Sequence, residues 1–218
     1  MGGPTDFMIR YYCLRARIMC VRGDDTGATH QLDEGARTAD AFSLPRLKAS
    51  LDNERVRLGL PPRPGFTAVQ RDTRAKASDG VEQIIAQLED ETAVFILLRG
   101  DADQIRAACE WAGEWVRRLE GTGRELASLH AARMLVACQW AAGCREDAET
   151  TLIPVVANCA RHGLIRFLLD GGPHVVAALT NLHKHLSSQE PDAEQSSLRS
   201  FVEVVSTAAR MRSQVSEG

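Results

Sequence analysis

Aromatic residues are scarce in this 218-residue chain, at 5%, and no run approaches the roughly 18–20 apolar residues of a membrane-spanning helix. Alanine, leucine, arginine and glutamate dominate instead, a balance that disfavours a sheet-rich sandwich and suits packed helices. Met1 to Arg10 lacks the apolar centre of a signal peptide, so a cytoplasmic location is expected. None of the six cysteines forms a C-x-x-C pair. They fall mostly on apolar helical faces and read as reduced, buried small hydrophobes. A zinc site would have to gather Cys138, Cys144 and Cys159 with His130 or His162, and the core reading is preferred; neither metal nor cofactor is expected. A net charge of -3 gives no basic field for nucleic acid. Nucleophile-elbow serines, H-E-x-x-H and carboxylates paired in a pocket are all missing, which argues against catalysis.

What the chain does have is helical periodicity over an apolar share of 44%. Asp6 is placed to cap a first helix, with Tyr11, Leu14, Ile18 and Val21 on one stripe, ending at Gly23. A second helix starts at Asp24 or Asp25 and turns His30, Leu32 and Ala36 inward. Leu44 to Leu58 is a third, carrying Leu47, Leu51 and Leu58 at helical spacing beside Arg46, Lys48, Glu54, Arg55 and Arg57. From Leu60 to Ser78 the prolines Pro61, Pro62 and Pro64 exclude helix and mark a surface loop. Val81 to Leu98 resumes helix. Asp101 and Gln104 form a capping-box signal, and the helix behind them turns Ile105, Ala108, Cys109, Ala112, Val116 and Leu119 inward, with Trp111 and Trp115 on a flank. Leu126, Leu129, Val136 and Trp140, then Ala148, Leu152, Val155, Val156 and Cys159, make an antiparallel pair around Gly143. Pro154 is expected to kink the second of these. Pro173 opens a helix with Val175, Val176, Leu179, Leu182 and Leu186 inward, and Leu198 to Ala208 form a last one.

The turn glycines Gly23, Gly59, Gly100 and Gly143 stand 36, 41 and 43 residues apart, a loose period of about forty. Helix, glycine turn and acidic restart recur in Val21-Arg-Gly-Asp-Asp and Leu98-Arg-Gly-Asp-Ala. The expected fold is therefore all-α, a tetratricopeptide-like α-solenoid in which helix pairs stack into a right-handed superhelix. Residues 1–59 supply N-terminal repeats, 60–79 a Pro/Gly-rich loop, 80–186 further repeats with a closing segment, and 187–218 a linker and final helix, all in one continuous domain.

Ala93 to Leu186, and above all Arg145-Glu-Asp-Ala with Gly163-Leu-Ile-Arg-Phe-Leu-Leu-Asp-Gly-Gly-Pro173, resembles the repeat domain of large ATP-binding LuxR-type transcriptional regulators of the maltose-activator type. The matching positions are Gly163, Arg166, Phe167, Leu169, Asp170 and Gly172. The resemblance implies an effector-sensing or protein-interaction domain; the first half of the chain shares only the pattern. The chain departs from that family in having no G-x-x-x-x-G-K-[ST] loop and no recognisable DNA-reading helix pair after Ser206. DNA would be reached only through a module absent from this chain, and no membrane contact is expected. A stand-alone scaffold for a peptide or partner protein is the alternative, and a homodimer is left open.

Arg133 lies on the apolar stripe between Leu129 and Val136, where an unpaired charge is costly. Its partner is either a carboxylate such as Glu125 or Asp147, or an anionic effector in the groove. With His130 and Trp140 it forms the candidate ligand group. Arg166 and Asp170, four apart, are expected to pair, and the segment through Gly172 to seat the last helices.

Overall fold

The computed structural model describes residues 3–64, 66, 80–188 and 193–216, and shows ten α-helices and no strand among them. In chain order they are α1 (Pro4–Val21), α2 (Asp25–Ala41), α3 (Pro45–Arg57), α4 (Gly80–Leu97), α5 (Ala102–Leu119), α6 (Glu125–Ala141), α7 (Arg145–His162), α8 (Ile165–Leu169), α9 (Pro173–Ser187) and α10 (Ala193–Ser216). The all-helical class holds. The chain divides into two compact units, residues 1–96 and 97–218. Residue 65 and residues 67–79 of the expected loop lie outside the described residues; Leu60 to Pro64 are not helical.

In the first unit α1, α2 and α3 pack on one another in all three combinations. Tyr12, Cys13 and Ala16 of α1 meet Ala28, Leu32 and Ala39 of α2 and Leu47 and Leu51 of α3. Two expectations for α1 fail. Asp6 is not the cap of α1: Gly3 is the N-cap, and Asp6, three residues on, accepts the Gly3 amide at 3.1 Å. The stripe Tyr11, Leu14, Ile18 and Val21 is exposed, because the smaller residues Cys13 and Ala16, with Tyr12, let α2 and α3 approach more closely from the other side. In α2, Leu32 and Ala36 are buried as expected and His30 is exposed. Asp24 caps α2 through the Gly27 amide at 2.8 Å.

α3 is the central strut of this unit. Asp52, Asn53, Glu54 and Arg55 are consecutive and all buried, and at about 100° per residue they point to four sides of the helix. Asp52 accepts from Arg63 at 2.7 Å. The Asn53 amide donates to Leu88 O, Glu91 Oε2 and Thr92 Oγ1 of α4 at 3.3–3.4 Å. Glu54 takes a two-pronged contact from Arg17 of α1, one arm at 2.8 Å, and Arg55 binds Asp33 of α2. Each residue of this polar run thus has a partner on a neighbouring stretch of the chain.

The second unit builds outward from α6. α5 and α7 flank it, α9 packs on both α6 and α7, and α10 covers α7, α8 and α9. The Asp101 and Gln104 capping box forms as expected, with contacts of 2.9 and 3.1 Å. Trp111 and Trp115 are buried at 6% and 7% exposure, not held on a flank, so α5 is rotated toward its larger side chains. Ala148, Leu152, Val155, Val156 and Cys159 of α7 are all buried. Gly23, Gly59 and Gly143 take the left-handed conformation of a turn. Gly100 does not; it sits against the Gln104 side chain of the capping box.

Candidate functional site

Arg133 is the largest fully buried side chain in the described protein, at 1% exposure. Burial of a guanidinium requires strong partners, and here they come from the closing segment that follows α7. Nη1 donates to the carbonyl oxygen of Phe167 at 2.6 Å, and the guanidinium carbon stands 4.2 Å from the centre of the Phe167 ring. Nη2 lies 3.3 Å from His130 Nδ1. The His130 ring meets Phe167 edge to face, 4.8 Å between centres. His130, Arg133 and Phe167 thus form one closed cluster joining α6 to α8.

The glycines of the string explain how α8 reaches this depth. A Cβ on Gly171 would lie 3.0 Å from Arg133 Cδ, 2.9 Å from Val175 Cγ2 and 3.0 Å from Leu168 O, so only glycine lets the chain lie against the arginine stem. Gly172 then turns with φ 86° and ψ -179°, a conformation open essentially to glycine alone, and delivers Pro173 to the first turn of α9. Arg166 Nε and Asp170 Oδ2 pair across one turn at 3.4 Å. Gly163 ends α7 in the left-handed conformation. The string between Gly163 and Pro173 holds α8 against α7, α9 and α10.

The candidate ligand group is therefore divided. Trp140, two turns further along α6, stacks under Arg145 at 3.7 Å from its ring centre, and Arg145 also donates to the Trp140 carbonyl at 3.1 Å. Glu125 and Asp147, the carboxylates weighed as partners for Arg133, are exposed. Nη1 is instead held by a backbone carbonyl 34 residues away, which carries no side-chain signature in the sequence.

A cavity of about 410 Å³ does open in this unit, but Arg133 does not line it. Its walls are the end of α5, the glycine turn after it, the start of α6 and the middle of α7, with Glu120, Arg124, Ser128, Pro154 and Asn158 among its lining. Sequence reasoning missed it. Its one signal was Pro154, whose position inside α7 was noted only for a kink. Elsewhere, burial and the positive charge of Arg145 hold the His174 imidazole below its usual pKa. Burial also pushes the Cys159 thiol up to about 11, against the opposing pull of Arg133. The described residues hold no group of three or more histidine, cysteine or acidic side chains able to bind a metal. No described helix is long and apolar enough to cross a membrane.

No protein-family model matches the chain, and no solved structure matches it significantly. Over 172 residues, 78% of its length, the chain is 36% identical to the serine/threonine-protein kinase PknK of Mycobacterium tuberculosis, and to the protein of that name in Mycobacterium bovis at the same level. The match spans only 16% of those relatives. The chain is thus homologous to a limited segment of a much larger kinase.

Proposed function

We propose that this chain is a non-catalytic regulatory domain of stacked helix pairs, a tetratricopeptide-like solenoid that acts by binding a segment of a partner protein. The packing order carries the reading. In the second unit α6 touches α7 and α9, α7 touches α9 and α10, and α9 touches α10, and in the first unit α1 touches α2 and α3. With the five-residue α8 left out of the count, these are contacts with the next helix and the next but one, as stacked pairs produce. The resemblance of Gly163 to Pro173 to LuxR-type regulators supports a place among sensor modules of multidomain regulators. So does homology to a small part of a kinase. Phosphoryl transfer belongs to that protein by name; here the role proposed is regulatory.

The closed cluster argues against an anionic effector held by Arg133, since the Phe167 carbonyl and ring already contact its guanidinium. One observation favours an effector, the cavity of about 410 Å³ beside Arg124 and Asn158, which lies within the usual size of ligand sites. Thermal-shift measurements with a metabolite set and with a peptide library separate the two. A peptide ligand that raises the melting temperature while metabolites leave it unchanged supports the proposal. Stabilisation by a metabolite, lost on Asn158→Leu, replaces it with the effector reading.

A further inference from the structure

The outer face of α1 is built to receive another helix. Phe7, Tyr11, Leu14, Ile18 and Val21 are exposed at 72, 43, 58, 44 and 64%. Their spacing of four, three, four and three is the seam pattern of paired helices, and it runs straight along an 18-residue helix whose other face is already in the core. Scattered exposed apolar residues are ordinary, but five aligned on one stripe mark an interaction surface.

Charge decides what kind of helix fits. Arg10 and Arg17 lie along one edge of the stripe and Arg15 and Arg22 along the other, each pair seven residues apart. Arg10, Arg15 and Arg22 are exposed, while Arg17 is held by Glu54. Arg15 also lies across the rim of the stripe, donating to the Tyr11 hydroxyl at 2.6 Å. The only acid in α1, Asp6, is bound to Arg46 at 2.5 Å. Pairing with a second copy, parallel or antiparallel, would set arginine edges against arginine edges, which is repulsive. At the edge of the stripe a cavity of about 430 Å³ opens, with Ile9, Cys13, Leu14 and Leu88 on its apolar side and Arg10, Arg17, Ser50, Asn53, Glu54 and Arg57 on its polar side, room for one side chain of a partner to enter.

We infer that α1 docks an acidic amphipathic helix of a partner protein, whose apolar seam lies on Phe7, Tyr11, Leu14, Ile18 and Val21 and whose flanking glutamates or aspartates face Arg10, Arg15 and Arg22. The inference rests on the interaction role proposed above and assigns it a surface and a partner chemistry. The cavity favours an inserted side chain over a lipid surface, which needs none.

The test uses the full 218-residue chain and two fluorescein-labelled peptides of about three heptads, with the same leucine seam and either glutamate or lysine at the flanking positions. The glutamate peptide should bind at least ten-fold more tightly, and progressively less tightly as salt rises. Leu14→Asp and Ile18→Asp, both at exposed positions, should abolish binding with the helical circular dichroism unchanged. The triple variant Arg10→Glu, Arg15→Glu, Arg22→Glu should reverse the preference toward the lysine peptide. Equal binding of both peptides, or binding that survives Leu14→Asp, overturns the assignment; in the second case a ligand seated elsewhere leaves the interaction role standing. Dimerisation through α1, seen by sedimentation and lost in Leu14→Asp, overturns it in favour of self-association. Binding to phosphatidylserine vesicles lost in the same variant, with no peptide bound, overturns it in favour of a membrane surface.

Discussion

At the scale of single residues, the cluster around Arg133 ties distant parts of the sequence together through one glycine. Gly171→Ala places a methyl against Arg133 Cδ, Val175 Cγ2 and Leu168 O, all at about 3 Å. The core is already filled there, so the expected cost is about 1–3 kcal/mol, read as a lowered urea midpoint. Arg133→Met keeps the stem but leaves the Phe167 carbonyl without its short donor, and should cost a similar ~1–3 kcal/mol. Cysteine reactivity gives an independent check. Burial first, then the charge of Glu54, pushes the Cys13 thiol up to about 12, and Cys138 and Cys159 are fully buried, while Cys144 is exposed. A thiol reagent at pH 8 should therefore modify Cys144 rapidly and Cys13, Cys138 and Cys159 only on unfolding. Fast labelling of Cys13 in the native protein would contradict the packing of α1. The burial of Arg133 was legible in its apolar setting, but its partner was not.

At the scale of elements, α7 and α1 show where periodicity suffices and where it does not. α7 has one wide apolar face, so its five inward residues follow directly from their spacing. α1 has two candidate faces, and the one richer in large side chains is outside. Periodicity reports that a stripe exists, and the residue sizes on the neighbouring helices decide which stripe enters the core. The turn from tryptophan flank to tryptophan core in α5 has the same origin. α3 defeats sequence reasoning for another reason: each polar residue of Asp52 to Arg55 finds its partner on a different stretch of the chain, Asn53 and Glu54 as much as 39 or 37 residues away. The Arg17 to Glu54 contact joins the element centre to α1, with the glutamate only 5% exposed and the arginine about a third. Removing the acid by Glu54→Ala strands a partly screened cation and should cost about 1–3 kcal/mol; a double-mutant cycle with Arg17→Ala should return a coupling of ~1 kcal/mol or more. A coupling near zero would mean that the Arg17 to Glu54 pair adds nothing to the seating of α3 on α1.

At the scale of the whole molecule, the division at residues 96 and 97 makes a claim about folding. The buried residues of α5, α6, α7, α9 and α10, with Leu168 of α8, all belong to residues 97–218, and the Arg133 cluster closes within that span. A fragment of 97–218 should therefore fold without the first unit, giving a strongly helical circular dichroism spectrum and one cooperative thermal transition. Its pH profile carries a further signature. Burial, reinforced by Arg145, lowers the His174 pKa in the folded state, so below the ordinary value of 6.5 the unfolded chain takes up the proton more readily. The stabilising contribution is complete above about pH 6.5 and is lost as the pH falls through that value toward the lowered folded pKa. His174→Gln should flatten this part of the profile. A fragment that remains a broadly melting, weakly helical chain would show that the second unit needs the first, and an unchanged acid slope in His174→Gln would place the titrating group elsewhere.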